Sequence, residues 1–124
     1  MEHSPGFLKL VQDAQPRVKE ITVDQLRARL GANPSLVLMD VREDHEWRDG
    51  HAGEAVHLGK GLLERDLEKQ FPDPRAEIGR YCGGGYRSIL TADAAQKIGY
   101  TQVTSLIGGY KGLVAAGWPM KKEA

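Results

Sequence analysis

Short, continuous apolar runs alternate along this chain with stretches in which apolar residues recur every three or four positions. That is the pattern of strands covered on both faces and separated by amphipathic helices. Phe7-Leu8-Lys9-Leu10-Val11 begins a short helix that Pro16 ends. Val18 to Ile21 alternates weakly and predicts a short edge strand. Thr22-Val23-Asp24-Gln25 has the capping-box spacing, with Thr22 as N-cap and Gln25 at the third helical position. Val23, Leu26 and Leu30 follow at helical spacing, and Gly31 predicts the stop. Leu36-Val37-Leu38-Met39 is too short for a helix and reads as a covered strand ending at Asp40. Glu43 to Arg48 predicts a helical turn closed by Gly50, Ala55 to Leu58 a strand, and Leu62 to Gln70 a helix closed by Pro72 and Pro74. Ile78 to Tyr81 is the next strand. Ser88 to Ile98 is the clearest helix, with Leu90, Ala94 and Ile98 on one face and Gly99 at its end. Val103 to Ile107 predicts a further strand. Gly108-Gly109 then turns into a final short helix, Tyr110 to Ala116, stopped by Gly117 and Pro119.

Strands alternating with helices predict an α/β fold: a mainly parallel central sheet of about five strands with helices on both faces. The expected organisation is an N-terminal extension over 1–17 holding the short helix, a single domain over 18–120, and a frayed tail over 121–124. In such sheets ligands bind beyond the carboxyl ends of the strands. Asp40 and Cys82 lie at two of those ends, and the Gly108-Gly109 turn follows a third.

Composition narrows the class. The chain has 124 residues, 40% apolar and 27% charged, which suits one soluble globular domain with one core. Seventeen basic and seventeen acidic residues cancel, so no nucleic-acid partner is expected, because that would need a basic stripe. Met1 to Gly6 has no apolar core and does not read as a signal peptide, and no apolar run is long enough for a membrane span. One cysteine cannot form an intramolecular disulfide. A cytoplasmic protein without a membrane partner is the expectation.

That lone cysteine opens Cys82-Gly83-Gly84-Gly85-Tyr86-Arg87, between a predicted strand and a predicted helix starting near Ser88. A thiol reacts as its thiolate, and a helix N-terminus or a nearby cation stabilises that form. Glycines let successive N–H groups turn inward as an anion nest and leave room above the sulfur. Arg87 adds a permanent charge and a fork of donors. An inert core cysteine needs none of these neighbours. The loop therefore predicts Cys82 as a nucleophile, with Gly83, Gly84, Gly85, Tyr86, Arg87 and Ser88 binding the substrate anion.

From about Ile21 to Pro119 the chain resembles the rhodanese-like family, the single-domain sulfurtransferases. Four segments carry the resemblance in order: Asp40-Val41-Arg42-Glu43; Glu46-Trp47 with Gly50-His51; Tyr81 to Ser88; and Gly99-Tyr100 with Leu106 to Tyr110 and Ala116-Gly117-Trp118-Pro119. The resemblance implies transfer of a sulfane sulfur from thiosulfate or a similar donor to cyanide, a small thiol or a protein thiol through a Cys82 persulfide. It implies no metal or organic cofactor. Two departures stand out. Gly50-His51-Ala52-Gly53-Glu54-Ala55 replaces a Gly-His-Ile-Pro-Gly-Ala pattern, predicting a looser loop. Ile78-Gly79-Arg80-Tyr81 replaces a strongly apolar strand, so Arg80 is expected either to reach outward to water or to sit at a less enclosed position.

Two other classes compete. A cysteine-dependent phosphatase or arsenate reductase would place five residues between cysteine and arginine; here four intervene, a smaller cradle that suits one sulfur atom better. The other is a non-catalytic rhodanese-like interaction or sulfur-carrier module; many interaction modules of this kind lose the cysteine, and its presence here argues for chemistry. His45, His51 and His57 recur at six-residue intervals that fit no usual zinc spacing, and His51 is expected to organise its loop locally. Asp40 and Arg42 are expected to support the site by tying loops together, and Trp47 and Trp118 to anchor packing. Tyr86, and Tyr110 from the next loop, are expected at the pocket rim.

Overall fold

The computed structural model describes residues 3–123. Its elements, in chain order, are α1 (Pro5–Ala14), a 3-10 turn (Gln15–Arg17), β1 (Lys19–Ile21), α2 (Val23–Ala32), β2 (Val37–Asp40), α3 (Asp44–Asp49), β3 (His51–Ala52) and β4 (Val56–His57). Then follow α4 (Lys60–Gln70), β5 (Ile78–Tyr81), α5 (Arg87–Ile98), β6 (Val103–Leu106), α6 (Gly109–Ala115) and β7 (Met120–Lys121).

Five strands form one parallel sheet in the order β1-β6-β5-β2-β4. The central position of β5 explains its complete burial. Because strand side chains alternate between faces, the sheet supports two cores. On one face Val11 and Ala14 of α1, Leu63 and Leu67 of α4, and Ile89, Ala92 and Ala95 of α5 pack against Met39 and Ile78. On the other, Leu26 of α2 and Leu113 of α6 pack against Leu38, Tyr81 and Leu106, with Trp118 closing the cluster. The expected α/β architecture, with helices on both faces of a five-stranded parallel sheet, is the observed one.

The capping box at α2 forms in both directions: Gln25 N donates to Thr22 Oγ1 at 3.1 Å, and Thr22 N donates to Gln25 Oε1 at 2.8 Å. Gly31 does not stop this helix, which runs to Ala32 and is capped at Asn33. Gly31 keeps a negative φ, whereas Asn33 precedes Pro34 and is pushed out of the helical region.

Two further expectations are corrected around the chain's end. Lys121, the first residue of the expected frayed tail, instead continues from Met120 as β7, paired antiparallel with β3 so that His51 lies opposite Lys121. Glu123 N then donates to Arg48 O at 3.1 Å; Ala124 lies outside the described residues. The same pairing removes the looseness expected at Ala52–Glu54. Gly53 N donates to Pro119 O at 2.9 Å, and Trp118 Nε1 donates to Glu54 Oε1 at 2.6 Å.

Arg80 fits neither expectation. It is fully buried in β5, and none of its three guanidinium nitrogens has a hydrogen-bond partner among the described residues. Burial lowers its pKa to about 10, with the Tyr100 phenol nearby acting the other way.

Candidate active site

The site forms where β5 ends and α5 begins. Strand pairing carries Tyr81 to the sheet's edge, and Tyr81 O accepts from Val41 N at 3.0 Å, so the chain leaves β5 at a fixed point. Cys82 follows at once, 1% exposed, with its sulfur turned into the loop. Gly85 N donates to Cys82 Sγ at 3.1 Å, and Ser88 Oγ lies 3.6 Å from the same sulfur. Gly85 has φ +105°, a conformation that points its N–H inward and that a side chain rarely adopts. The sulfur thus faces a backbone donor, a hydroxyl and the first turn of a helix whose dipole favours negative charge.

The loop from β6 to α6 holds this cradle from the side. Tyr110 N donates to Cys82 O at 2.6 Å and Lys111 N to Gly83 O at 3.3 Å. At Gly109, φ +53°, a Cβ would drive into the Cys82 carbonyl, so only glycine permits the approach. The Cys82 loop and the Gly108-Gly109 turn, which follow two of the predicted strand ends, are therefore in direct contact.

Arg87 lies over the loop, its Nη2 3.2 Å from where a Gly83 Cβ would stand. Its guanidinium is bidentate to Glu46 of α3, Nη1 to Oε1 at 2.7 Å and Nη2 to Oε2 at 3.0 Å. The Arg87 ion pair holds the Glu46 carboxyl down to about 2, and Glu46 raises the Arg87 pKa above its ordinary value. The cation that the loop pattern assigned wholly to the substrate is thus shared with a protein carboxylate. Residue spacing inside the loop could not show this, because Glu46 arrives from another element.

A cleft of about 680 Å³ opens over Cys82, Gly83, Gly84 and Arg87. Tyr86 is at its rim, 40% exposed, with its ring 4.9 Å from His3 and 6.4 Å from Phe7. The N-terminal segment therefore forms a wall of the cleft, which no local sequence pattern announces. His45, Glu46 and Lys111 complete it. Tyr110 is not at the rim. Its ring lies 4.2 Å from the Arg42 guanidinium carbon and its hydroxyl packs against Gly50, so the cleft residue from that turn is Lys111.

Asp40 and Arg42 sit apart from the cleft, 0% and 4% exposed. Arg42 Nε and Nη2 donate to the Asp40 carboxylate at 2.8–3.1 Å, and Nη2 also donates to Gly50 O at 2.6 Å. Tyr81 shares the cluster: its hydroxyl lies beside the Asp40 carboxylate and accepts from Ala52 N at 3.1 Å. Burial, reinforced by Asp40, pushes the Tyr81 phenol well above its ordinary value. The pair joins the end of β2 to the Gly50 turn. Trp47 stacks between His51, at 3.4 Å between ring centroids, and His57, at 4.9 Å. His51 Nδ1 bonds Trp47 O at 2.9 Å, a local bond within its own turn. Among the described residues no group of three or more His, Cys, Asp or Glu side chains could hold a metal ion, and no helix is long and apolar enough to cross a membrane.

A parallel α/β sheet with a thiol cradled at a helix start defines the class, and comparison with known proteins gives the family. The model of the rhodanese-like domain matches residues 22–116, and the chain belongs to that family. The Bacillus subtilis protein named "Putative sulfurtransferase YtwF" is 31% identical over 86 residues, covering 69% of this chain and 82% of that protein. "Putative sulfur carrier protein YrkF" of the same organism is 27% identical over 94 residues, covering 76% of this chain; the chain spans 50% of that relative's length. Among solved structures, a Rhodopseudomonas palustris protein described as "Possible Tyrosine Phosphatase" superposes with a TM-score of 0.80 at 26% identity, covering 98% of both chains.

Proposed function

We propose that the protein is a sulfurtransferase that moves a sulfane sulfur from a small anionic donor of the thiosulfate type to a thiophilic acceptor, through a persulfide on Cys82. One observation carries the reading: the Cys82 sulfur accepts from Gly85 N at 3.1 Å, with Ser88 Oγ 3.6 Å away, at the head of α5 beside an open cleft. The relative named as a sulfurtransferase points the same way.

The reaction balances without any cofactor. Cys82 thiolate attacks the outer sulfur of thiosulfate. A sulfur–sulfur bond forms to Sγ as the bond to the sulfonate sulfur breaks, and sulfite leaves with the electron pair. An incoming thiolate or cyanide then attacks the outer persulfide sulfur, and Cys82 leaves as thiolate. This is two-step covalent catalysis. The N–H groups of Gly83 to Ser88 hold the terminal charge, the role of preorganised donors in an oxyanion hole. Arg87 draws the anionic donor, and Asp40 with Arg42 supports the neighbouring turn.

The test is intact-mass analysis after thiosulfate treatment, with cyanide-dependent thiocyanate release as the turnover assay. One added sulfur on Cys82, absent in Cys82→Ser, is expected. Thiocyanate production by Cys82→Ser would overturn the mechanism. No mass gain and no turnover with any donor would favour a non-catalytic interaction module; a mass gain without turnover would favour a carrier.

Phosphatase chemistry is the second reading, raised by the solved structure named for it. The four-residue spacing from Cys82 to Arg87 and the Glu46 clamp on Arg87 both weigh against it. Hydrolysis of p-nitrophenyl phosphate that is lost in Cys82→Ser would reverse the choice.

A further inference from the structure

Ser88 Oγ has two neighbours. It lies 3.6 Å from Cys82 Sγ and 2.7 Å from Ser105 Oγ, and all three residues are buried. Ser105 is on β6, far along the chain from the cysteine loop, and is 0% exposed. A hydroxyl has one hydrogen to give and two lone pairs to receive. A thiolate only accepts. When Cys82 is ionised, Ser88 therefore donates to Sγ and receives the Ser105 hydrogen. Beneath Ser105, its register neighbour on β5 is Arg80, whose guanidinium offers donors and no acceptor. On the other side its register neighbour on β1 is Glu20, whose carboxylate accepts from Gln15 Nε2 at 3.1 Å, while the Ser105 hydroxyl bonds Ser88. A serine inside a helix otherwise tends to turn its hydroxyl onto a carbonyl one turn back. A donor fixed at Ser105 favours the orientation that faces the sulfur.

We propose that Ser105 is a positioning residue for the sulfur chemistry, holding the Ser88 hydroxyl toward Cys82 Sγ and so stabilising the thiolate that attacks the donor and later leaves the persulfide. It acts through Ser88 and touches no substrate. The inference rests on the sulfur-transfer reading only in taking Cys82 as the reacting thiol.

The test is the pH dependence of Cys82 alkylation by iodoacetamide, which reads the thiolate whether or not sulfur is transferred. Ser105→Thr and Ser105→Val have the same shape and differ by the hydroxyl. In Ser105→Val the midpoint should move up by about half a unit to one unit, the size of one hydrogen bond expressed as a shift. Ser105→Thr should stay at the wild-type midpoint. Ser105→Ala, which adds no bulk, gives the same reading if the valine variant folds poorly, with the thermal midpoint as the check on folding. Ser88→Ala should shift the midpoint at least as far, and Ser88→Ala/Ser105→Ala no further than Ser88→Ala alone, because the two hydroxyls act in series. An unmoved midpoint in folded Ser105→Ala, or additive shifts in the double variant, would overturn the proposal. Failure of thiocyanate release with these shifts intact would count against sulfur transfer and not against Ser105.

Discussion

Replacing Arg80 with methionine should make the protein more stable. The arginine is 0% exposed, and its Nε, Nη1 and Nη2 are without partners among the described residues. Burial lowers its pKa to about 10, and an ordinary arginine titrates at about 12.5 or above. At about 1.4 kcal/mol per pKa unit, the folded state disfavours the charge by on the order of 3 kcal/mol. Methionine follows a similar unbranched path, fills irregular gaps and carries no charge. Even for buried ions that are paired, exchange for apolar groups of similar volume is often neutral or stabilising by about 1–4 kcal/mol, and Arg80 has no partner to lose among the described residues. For a domain of this size that corresponds to a rise in Tm of roughly 10 °C. The assay is thermal unfolding of wild type and Arg80→Met followed by circular dichroism at pH 7, then repeated at rising alkaline pH. The folded pKa lies below the unfolded one, so the cost is full below pH 10 and fades as pH rises toward the unfolded value. The gap between the two proteins should therefore narrow above pH 10. An equal or lower Tm for Arg80→Met, or a gap that does not change with pH, would refute the reasoning.

The remaining predictions concern the cradle. Arg87→Ala should raise the donor KM more than it lowers kcat in the thiocyanate assay; an unaltered KM would count against its role. Glu46→Gln should release Arg87 from its carboxylate partner and lower the KM for an anionic donor. The same variant should lose stability at neutral pH. Because the Glu46 pKa falls from 4.5 to about 2 on folding, its contribution is present above 4.5 and is lost as pH falls through about 2, so wild type and Glu46→Gln should converge over that interval. Gly109→Ala should cost roughly 2 kcal/mol or more in urea unfolding, since the new Cβ meets the Cys82 carbonyl at a φ that disfavours any side chain.

The strands and helices were legible because each obeys a local rule. The continuous apolar run at Leu36–Met39 marks a covered strand, Thr22 and Gln25 mark a helix start, and Gly99 marks a helix end. The thiol loop was legible for the same reason, since its residues are adjacent in sequence. What escaped depends on distant parts of the chain. Lys121 pairs with His51, Glu46 clamps Arg87, and His3 and Phe7 wall the cleft. Proximity to a glycine turn suggests the rim for Tyr110, but its ring packs against the Arg42 guanidinium. Gly31 looked like a stop by residue type, whereas stopping requires a backbone conformation that it does not adopt.

The close approach of Gly109 to Cys82 also bears on how such a site can change its chemistry. The loop that grips the sulfur is built in two pieces, one carrying the nucleophile and the other, from Gly108 to Lys111, supplying donors to its carbonyls. A first piece longer by one residue, as a wider cradle for a tetrahedral phosphoryl group would need, has open space at Gly84 but still has to present the Cys82 and Gly83 carbonyls to the donors of the second. A graft of a longer phosphatase-like loop alone should therefore hold its place only if those two bonds survive, whereas a graft that exchanges both turns together is free of that constraint. On the proposed reading, the size of the anion held would depend on both segments, and a redesign would have to treat them as a pair.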